Sequence, residues 1–95
     1  MEKRTLICYV RNKSRQPVGV LYAEMIDGVV EIGWSKYNEE RETKSFSKKQ
    51  GLMVAKNRAT TQRGTQAYPD CMKKPISNFV HRCELFFKTT NIMVN

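Results

Sequence analysis

The chain has 95 residues, 40% of them hydrophobic, which is enough for one small domain over residues 1–95 but leaves little room for a deep, self-contained active site. Its formal net charge of +8 predicts an anionic partner, which would be nucleic acid, a nucleotide or an acidic protein surface. The 3 cysteines are odd in number and widely spaced, which argues against a disulfide framework or a zinc knuckle and predicts a reducing compartment.

Alternating apolar and polar side chains predict strands in the first part of the chain. Thr5 to Arg11 alternates in this way, and Pro17 leads into a second apolar stretch from Val18 to Ile26. Asp27-Gly28 follows, which is a favoured pair for a two-residue type I′ turn between strands. A third strand after this turn would complete an antiparallel meander.

The turn sets the register of the hairpin. It places Ile26 opposite Val29, Met25 opposite Val30, Glu24 opposite Glu31, Ala23 opposite Ile32, Tyr22 opposite Gly33 and Leu21 opposite Trp34. One face is therefore apolar and should be covered by helices; it carries Leu21, Ala23, Met25, Val30, Ile32 and Trp34. On the other face Glu24 and Glu31 lie side by side, so we expect a lysine or arginine close to them. A catalytic carboxylate pair is the alternative.

A charged loop separates the strands from a helix predicted from Ser47 to about Gln62. Ser47 and Gln50 have the spacing of a capping box, with Ser47 as the N-cap. Lys48 and Lys49 then fall in the first turn, where cations oppose the helix dipole. The same position suits an anion, because free backbone N–H groups point at it. The lysines are therefore either solvated or part of an anion site.

Arg58 falls inside the inner arc of this helix. A helical wheel places it on the side of Gly51, Ala55 and Ala59, whose small side chains let another backbone or a ligand approach closely. Arg58 therefore either bridges to a neighbouring carboxylate or binds an anionic ligand.

The rest of the chain predicts a long connection and a second helix. The connection from Arg63-Gly64 to Pro75 is a candidate binding loop. The helix runs from about Ile76 to Lys88, and its apolar side consists of Ile76, Phe79, Val80, Cys83, Phe86 and Phe87. His81 falls on the polar side and is interpreted as a solvated residue. The residues after Thr89 either fray or pair with a neighbouring subunit.

The predicted fold class is therefore α+β, with a three-stranded antiparallel β-meander followed by two α-helices packed on one face. The sequence contains no Gly-rich phosphate loop, nucleophile elbow or Cys/His ligand cluster. We expect a binding protein without cofactor or metal.

An extended nucleic acid would use a positive surface formed by Arg11, Lys13, Arg15, Lys36, Lys48, Lys49, Lys56, Arg58 and Arg63, with Trp34, Tyr37 or Tyr68 stacking on bases. The inner position of Arg58 instead favours a compact pocket for a small phosphorylated ligand.

Two blocks of the sequence carry a family pattern. The segment Gly33-Trp34-Ser35-Lys36-Tyr37-Asn38 has the form G-x-S-x-x-N, and Phe46-Ser47-Lys48-Lys49-Gln50-Gly51 has the form F-x-K-K-x-G, followed by Arg58-Ala59. Together they resemble the first family of Thoeris anti-defence sponge proteins, which are small phage proteins with strands followed by two helices. The resemblance covers Gly33 to Ala59.

The resemblance implies a protein that holds a nucleotide immune signal, of cyclic ADP-ribose type or a cyclic oligonucleotide, without cleaving it. It also implies dimers or larger rings of dimers. Lys48, Lys49 and Arg58 become candidate phosphate contacts, and Phe46 or Trp34 a base-stacking surface. Arg11, from the basic surface described above, completes this predicted ligand site.

We therefore expect a homo-oligomeric phage protein of the host cell cytoplasm that binds a nucleotide second messenger near a subunit boundary. No apolar run is long enough to span a membrane. The alternative is a basic phage early protein that binds nucleic acid or inhibits a host protein such as RNA polymerase or a CRISPR effector. A small nuclease or cyclic-nucleotide-degrading enzyme is the catalytic alternative.

Overall fold

The computed structural model describes residues 4–37, 47–61 and 68–95. It confirms the α+β class and contains a four-stranded sheet with two α-helices. The elements are β1 (Thr5–Arg11), β2 (Pro17–Ile26), β3 (Val29–Lys36), α1 (Lys48–Thr61), a short 3₁₀ turn (Asp70–Met72), α2 (Lys73–Phe87) and β4 (Ile92–Val94).

The β2–β3 hairpin has the predicted register throughout, from Ile26 opposite Val29 to Leu21 opposite Trp34. Asp27 and Gly28 have φ angles of 51° and 81°, and positive φ at both central residues defines a type I′ turn. The turn chemistry and the alternation of side chains agree, which is why the sequence alone predicted this hairpin.

The sheet has a fourth strand, so the prediction of three antiparallel strands was incomplete. The residues after Thr89 neither fray nor need another subunit, because β4 pairs in parallel with β3, Ile92 lying beside Val30 and Val94 beside Ile32. The backbone N–H of Asn95 adds a 2.8 Å bond to the carbonyl of Ile32. A parallel neighbour requires a crossover connection, and here the chain between β3 and β4 includes both helices.

The two helices cover opposite faces of the sheet, so the prediction that both pack on one face was wrong. Alternate residues of a strand point to opposite faces. Leu21 and Ala23 pack in one cluster with α2, whereas Val20 and Tyr22 pack in another with α1. The face of the sheet that carries Glu24 and Glu31 is therefore also buried.

The larger core lies between the sheet and α2. The helix contributes the buried residues Ile76, Phe79, Cys83 and Phe87, as its apolar pattern predicted, while Phe86 remains 40% exposed. The helix begins three residues before the predicted start, and Pro75 falls within the first four residues, whose N–H groups have no partner inside a helix. Lys88, in the left-handed conformation, follows its last residue.

The start of α1 is confirmed. The backbone N–H of Gln50 donates a 3.2 Å bond to Ser47 Oγ, which is the predicted N-cap contact. The helix is described to Thr61, so the predicted end near Gln62 and the stop at Arg63-Gly64 lie outside the described residues. Among the described residues, no helix is both long and apolar enough to cross a membrane.

Candidate functional site

Helix α1 lies directly on the backbone of β3. Gly51, Ala55 and Ala59 are buried in this contact. A Cβ atom placed on Gly33 would lie 1.8 Å from the carbonyl oxygen of Ala55 and 2.5 Å from the amide nitrogen of Ala59. The small residues that predicted a close approach of a backbone or a ligand thus accommodate a backbone, that of β3.

Arg58 extends from α1 to the outer edge of β3. Its Nη1 donates a 2.8 Å hydrogen bond to the carbonyl of Trp34. The carbonyls of Ile32 and Trp34 point to the same edge of the sheet. The N–H of Asn95 bonds to the carbonyl of Ile32, and β4 ends there. Arg58 therefore supplies the donor for the carbonyl of Trp34. Burial lowers the pKa of this guanidinium from its ordinary value, but an arginine stays charged.

The indole of Trp34 is the second partner of Arg58. The guanidinium carbon lies 4.1 Å from the centre of the indole, a cation–π distance. Trp34 is only 7% exposed, so it offers little surface to a stacking base. Its Nε1 is a buried donor for which the described residues supply no acceptor. The structure thus brings these two predicted site residues together, in a contact that stabilises the sheet edge.

Lys48 and Lys49 lie at the opposite end of α1 from Arg58. Both are exposed, and Lys48 Nζ lies 5.0 Å from the centre of the Tyr9 ring in β1. Arg58 instead contacts β3, so the predicted phosphate contacts do not converge within one chain. Their binding of a ligand stays a prediction, and Phe46 lies outside the described residues.

Arg11 belongs to a different set of cations, in a groove between β1 and α2. The groove has a volume of about 310 Å³. Its floor is apolar, and Arg11, Lys74 and Arg82 supply its charge; the complete lining is Cys8, Tyr9, Val10, Arg11, Leu21, Lys74, Pro75, Asn78, Phe79 and Arg82. We call this the basic groove.

The three cations of the basic groove have no acidic partner among residues 4–37, 47–61 and 68–95. Arg11 Nη1 donates to the carbonyl of Arg15 at 2.9 Å, which is a neutral partner. Within the described ranges, no carboxylate forms an ion pair with Arg11, Lys74 or Arg82. Uncompensated positive charge above an apolar floor is the arrangement that a ligand with phosphates and a base requires.

A larger groove of about 690 Å³ follows the other side of α2, next to Val94 of β4. It shares Arg82 with the basic groove but suits an anion less well, because Glu84 is also part of its lining. One of its cations, Lys73, is already paired with Asp70 at 3.0 Å. His81 also lines this groove and is exposed, as the sequence predicted. Volume alone would favour this groove, but charge favours the smaller one.

Sequence reasoning missed three polar residues of the basic groove. Lys74, Asn78 and Arg82 are spaced four residues apart and so form one stripe along α2. That stripe was visible in the sequence next to the apolar side of the helix. The position of β1 beside this stripe could not be predicted, because the apolar pattern does not say which strand lies next to which side of a helix.

The glutamates of the hairpin are buried on the face of the sheet that α1 covers. Glu24 and Glu31 are adjacent across the β2–β3 pair. Tyr22 Oη donates to Glu24 Oε1 at 2.6 Å, and Asn95 Nδ2 donates to Glu31 Oε2 at 2.7 Å. Burial, followed by the bond to Glu24, raises the pKa of Tyr22. The cation expected beside these carboxylates stays a prediction.

The described residues include no group of three or more His, Cys, Asp or Glu side chains that could hold a metal ion. Comparisons of the chain with protein families, curated proteins and solved structures gave no match. The fold and the basic groove therefore define the protein as a small α+β domain with a cationic surface groove.

Proposed function

We propose that this protein is a phage anti-defence protein that binds and sequesters a small phosphorylated nucleotide, of cyclic ADP-ribose or cyclic oligonucleotide type, without cleaving it. The observation that carries the proposal is the basic groove, in which Arg11, Lys74 and Arg82 flank an apolar floor without an acidic partner in the described residues. The resemblance of Gly33 to Ala59 to the sponge proteins supports the choice of a nucleotide.

The groove has the chemistry that such a ligand needs. Hydrogen bonds from arginine or lysine to phosphate contribute about 1.5–3 kcal/mol each. The partly exposed apolar residues of the groove, Cys8, Val10 and Pro75, would accept a base or a ribose face, and Leu21 and Phe79 are buried beneath them. Ligand sites typically measure about 300–1,000 Å³, so a groove of about 310 Å³ holds one nucleotide unit and leaves the rest of a larger ligand outside.

Sequestration needs no catalytic group, because the protein acts by stoichiometry. The protein is incubated with cyclic ADP-ribose isomers and with cyclic di- and trinucleotides, then separated from free ligand and heated. We expect the bound nucleotide to be released chemically intact. A converted product would support the enzymatic alternative, and uptake of none of the probes would contradict the proposal.

Lys74 and Lys73 provide a matched pair of variants, because they are neighbouring exposed lysines on α2 that line different grooves. Lys74→Ala and Arg82→Ala should each weaken nucleotide binding about ten- to a hundredfold, the effect of losing one charge-assisted hydrogen bond. Lys73→Ala should leave the affinity unchanged, and isothermal titration calorimetry measures all three. If Lys48→Ala and Lys49→Ala abolish binding and the groove variants do not, the ligand lies at the start of α1 instead.

Salt dependence separates the nucleic-acid alternative. If a single-stranded oligonucleotide binds with affinity that falls steeply with salt while no small nucleotide binds, the alternative is supported.

The homo-oligomer that the resemblance implies stays a prediction, to be checked by light scattering on the eluted protein with and without nucleotide.

A further inference from the structure

The outer edge of β1 has backbone groups that no described strand uses. The type I′ turn makes Ile26 and Val29 a hydrogen-bonded pair, and such pairs alternate along an antiparallel hairpin. The groups of β2 that bond to β3 therefore belong to the even-numbered residues from Val20 to Ile26. The odd-numbered ones, including Leu21 and Ala23, face β1.

The same alternation fixes which groups of β1 point outward. Leu6 pairs with Ala23 and Cys8 with Leu21, so these two residues bond inward to β2. The N–H and C=O groups of Ile7 and Tyr9 then point away from the sheet. In the described chain neither residue has a backbone–backbone bond outside this strand pairing, and the carbonyl of Tyr9 accepts a weak 3.8 Å bond from the thiol of Cys8. Ile7 is 38% exposed.

From Thr5 to Tyr9 this edge has no proline, no inward charge and no mid-strand bulge, which are three of the features with which proteins protect an edge strand. From Thr5 to Tyr9 the pairing with β2 is regular, and the only irregularity lies between Val10 and Arg11 at the far end. The other edge is managed differently, because β4 and then Arg58 satisfy the outward groups of β3. The β1 edge is thus a ready template for one more strand.

Cations flank the edge on both faces of the sheet. On the α1 side, Lys48 lies above the Tyr9 ring. On the α2 side, Arg11, Lys74 and Arg82 line the basic groove beside β1. No ion pair joins any of these four cations to a carboxylate in the described part of the chain.

These charges select the occupant. A second copy of the chain would bring the same cations and no carboxylate from its own β1, because Thr5–Arg11 contains no acidic residue, so these cations would stay unpaired. A nucleic acid backbone offers phosphate acceptors but no regular row of donors for the outward carbonyls. An acidic peptide supplies N–H, C=O and carboxylate groups together.

We propose that the β1 edge binds an extended acidic segment of another protein as an added strand. Successive side chains of that segment would alternate between the two faces, so neighbouring carboxylates would meet Lys48 on one side and Arg11, Lys74 or Arg82 on the other. This surface shares Arg11, Lys74 and Arg82 with the nucleotide proposal and differs from it in the ladder bonds, which come from the backbone of Ile7 and Tyr9.

The probe is an end-blocked peptide built from repeated Val-Val-Glu-Glu units, which presents a carboxylate to each face. One control peptide has lysine in place of glutamate, and a second keeps the glutamates but has proline in place of alternate valines. We expect binding of the first peptide alone. Equal binding of the proline-containing peptide would overturn the proposal, because it would show attraction between charges without an added strand.

Amide hydrogen exchange on the unmodified protein gives a direct measurement. The amides of Ile7 and Tyr9 should exchange rapidly in the free protein and become protected when peptide is added. Leu6 and Cys8, which bond to β2, should be protected in both states and serve as internal controls. Protection of Ile7 and Tyr9 without peptide, in a sample that light scattering shows to be oligomeric, would instead assign the edge to self-association.

A pair of variants separates the backbone from the side chain. Ile7→Pro removes an outward N–H at an edge position where proline is tolerated, whereas Ile7→Ala keeps it. Ile7→Pro should weaken peptide binding about tenfold relative to Ile7→Ala, because the peptide carbonyl opposite Ile7 loses its donor, and should leave nucleotide binding intact. Equal affinities of two folded variants would overturn the proposal, and thermal unfolding verifies the fold.

Discussion

At the scale of single residues, Gly33 decides how closely α1 approaches the sheet. Any Cβ there would collide with backbone atoms of Ala55 and Ala59, which cannot rotate away as a side chain can. Gly33→Ala should therefore lower the free energy of unfolding by about 3 kcal/mol or more, at the upper end of overpacking effects. Urea unfolding followed by circular dichroism measures the change.

Gly28 offers the matched control for this variant. It has a φ of 81°, but no atom lies within 4 Å of the position that a Cβ would occupy, so Gly28→Ala carries only the conformational cost, about 1 kcal/mol. A loss for Gly33→Ala no greater than that for Gly28→Ala would contradict the close contact between α1 and β3.

At the scale of secondary-structure elements, the N-cap of α1 can be tested independently of any ligand. Ser47→Ala removes the acceptor of the Gln50 N–H and should cost about 1 kcal/mol of stability. Ser47→Asp keeps an acceptor and adds a negative charge near Lys48, Lys49 and the positive end of the helix dipole, so it should be at least as stable as the native protein. Thermal unfolding of the two variants in low salt compares them, and equal destabilisation of both would show that the cap contributes nothing.

Those parts of the fold that depend on local patterns could be predicted from the sequence. The β2–β3 register follows from Asp27-Gly28 and alternation, and the start of α1 follows from Ser47. The strand β4 could not be predicted, because a three-residue strand has too short a pattern and its pairing depends on where α2 returns the chain. The placement of α1 was missed because the apolar pattern predicted cover for one face only, whereas the face with Glu24 and Glu31 is also buried, and these glutamates accept hydrogen bonds from Tyr22 and Asn95.

The candidate site was predictable only in part, for a related reason. The unusual position of Arg58 was evident from the helical wheel, but a wheel cannot show that its partner is the carbonyl of Trp34 rather than an anion. Arg11 was evident as a surface cation. Its association with Lys74 and Arg82 depends on β1 lying beside α2, which is a tertiary contact that no local pattern determines.

At the scale of the whole molecule, two buried groups make stability depend on alkaline pH. Burial raises the pKa of the Cys83 thiol from 9.0 to about 12, and the pKa of Tyr22 also lies above its ordinary value of 10.0. In the unfolded chain both groups lose their protons at lower pH than in the folded protein. The unfolded state then binds fewer protons, so the free energy of unfolding falls as pH rises.

The contribution of the protonated Cys83 thiol to the free energy of unfolding is complete below about pH 9. It is lost as pH rises from there towards the folded-state pKa of about 12. The expected slope is at most about 1.4 kcal/mol per pH unit for each group, with Cys83 acting first and Tyr22 adding to it above about pH 10. Urea unfolding at a series of pH values, with a reductant present to keep the thiols free, measures this slope.

Cys83→Ala and Cys71→Ala separate the thiol from general alkaline effects. Cys83 is buried and Cys71 is exposed, so only the first variant should lose the slope that begins near pH 9, even if the missing sulfur lowers its overall stability. Cys71→Ala should behave as the native protein. A slope that is the same in all three proteins would show that the Cys83 thiol ionises equally easily in the folded and unfolded states, and hence that the core between α2 and the sheet admits water.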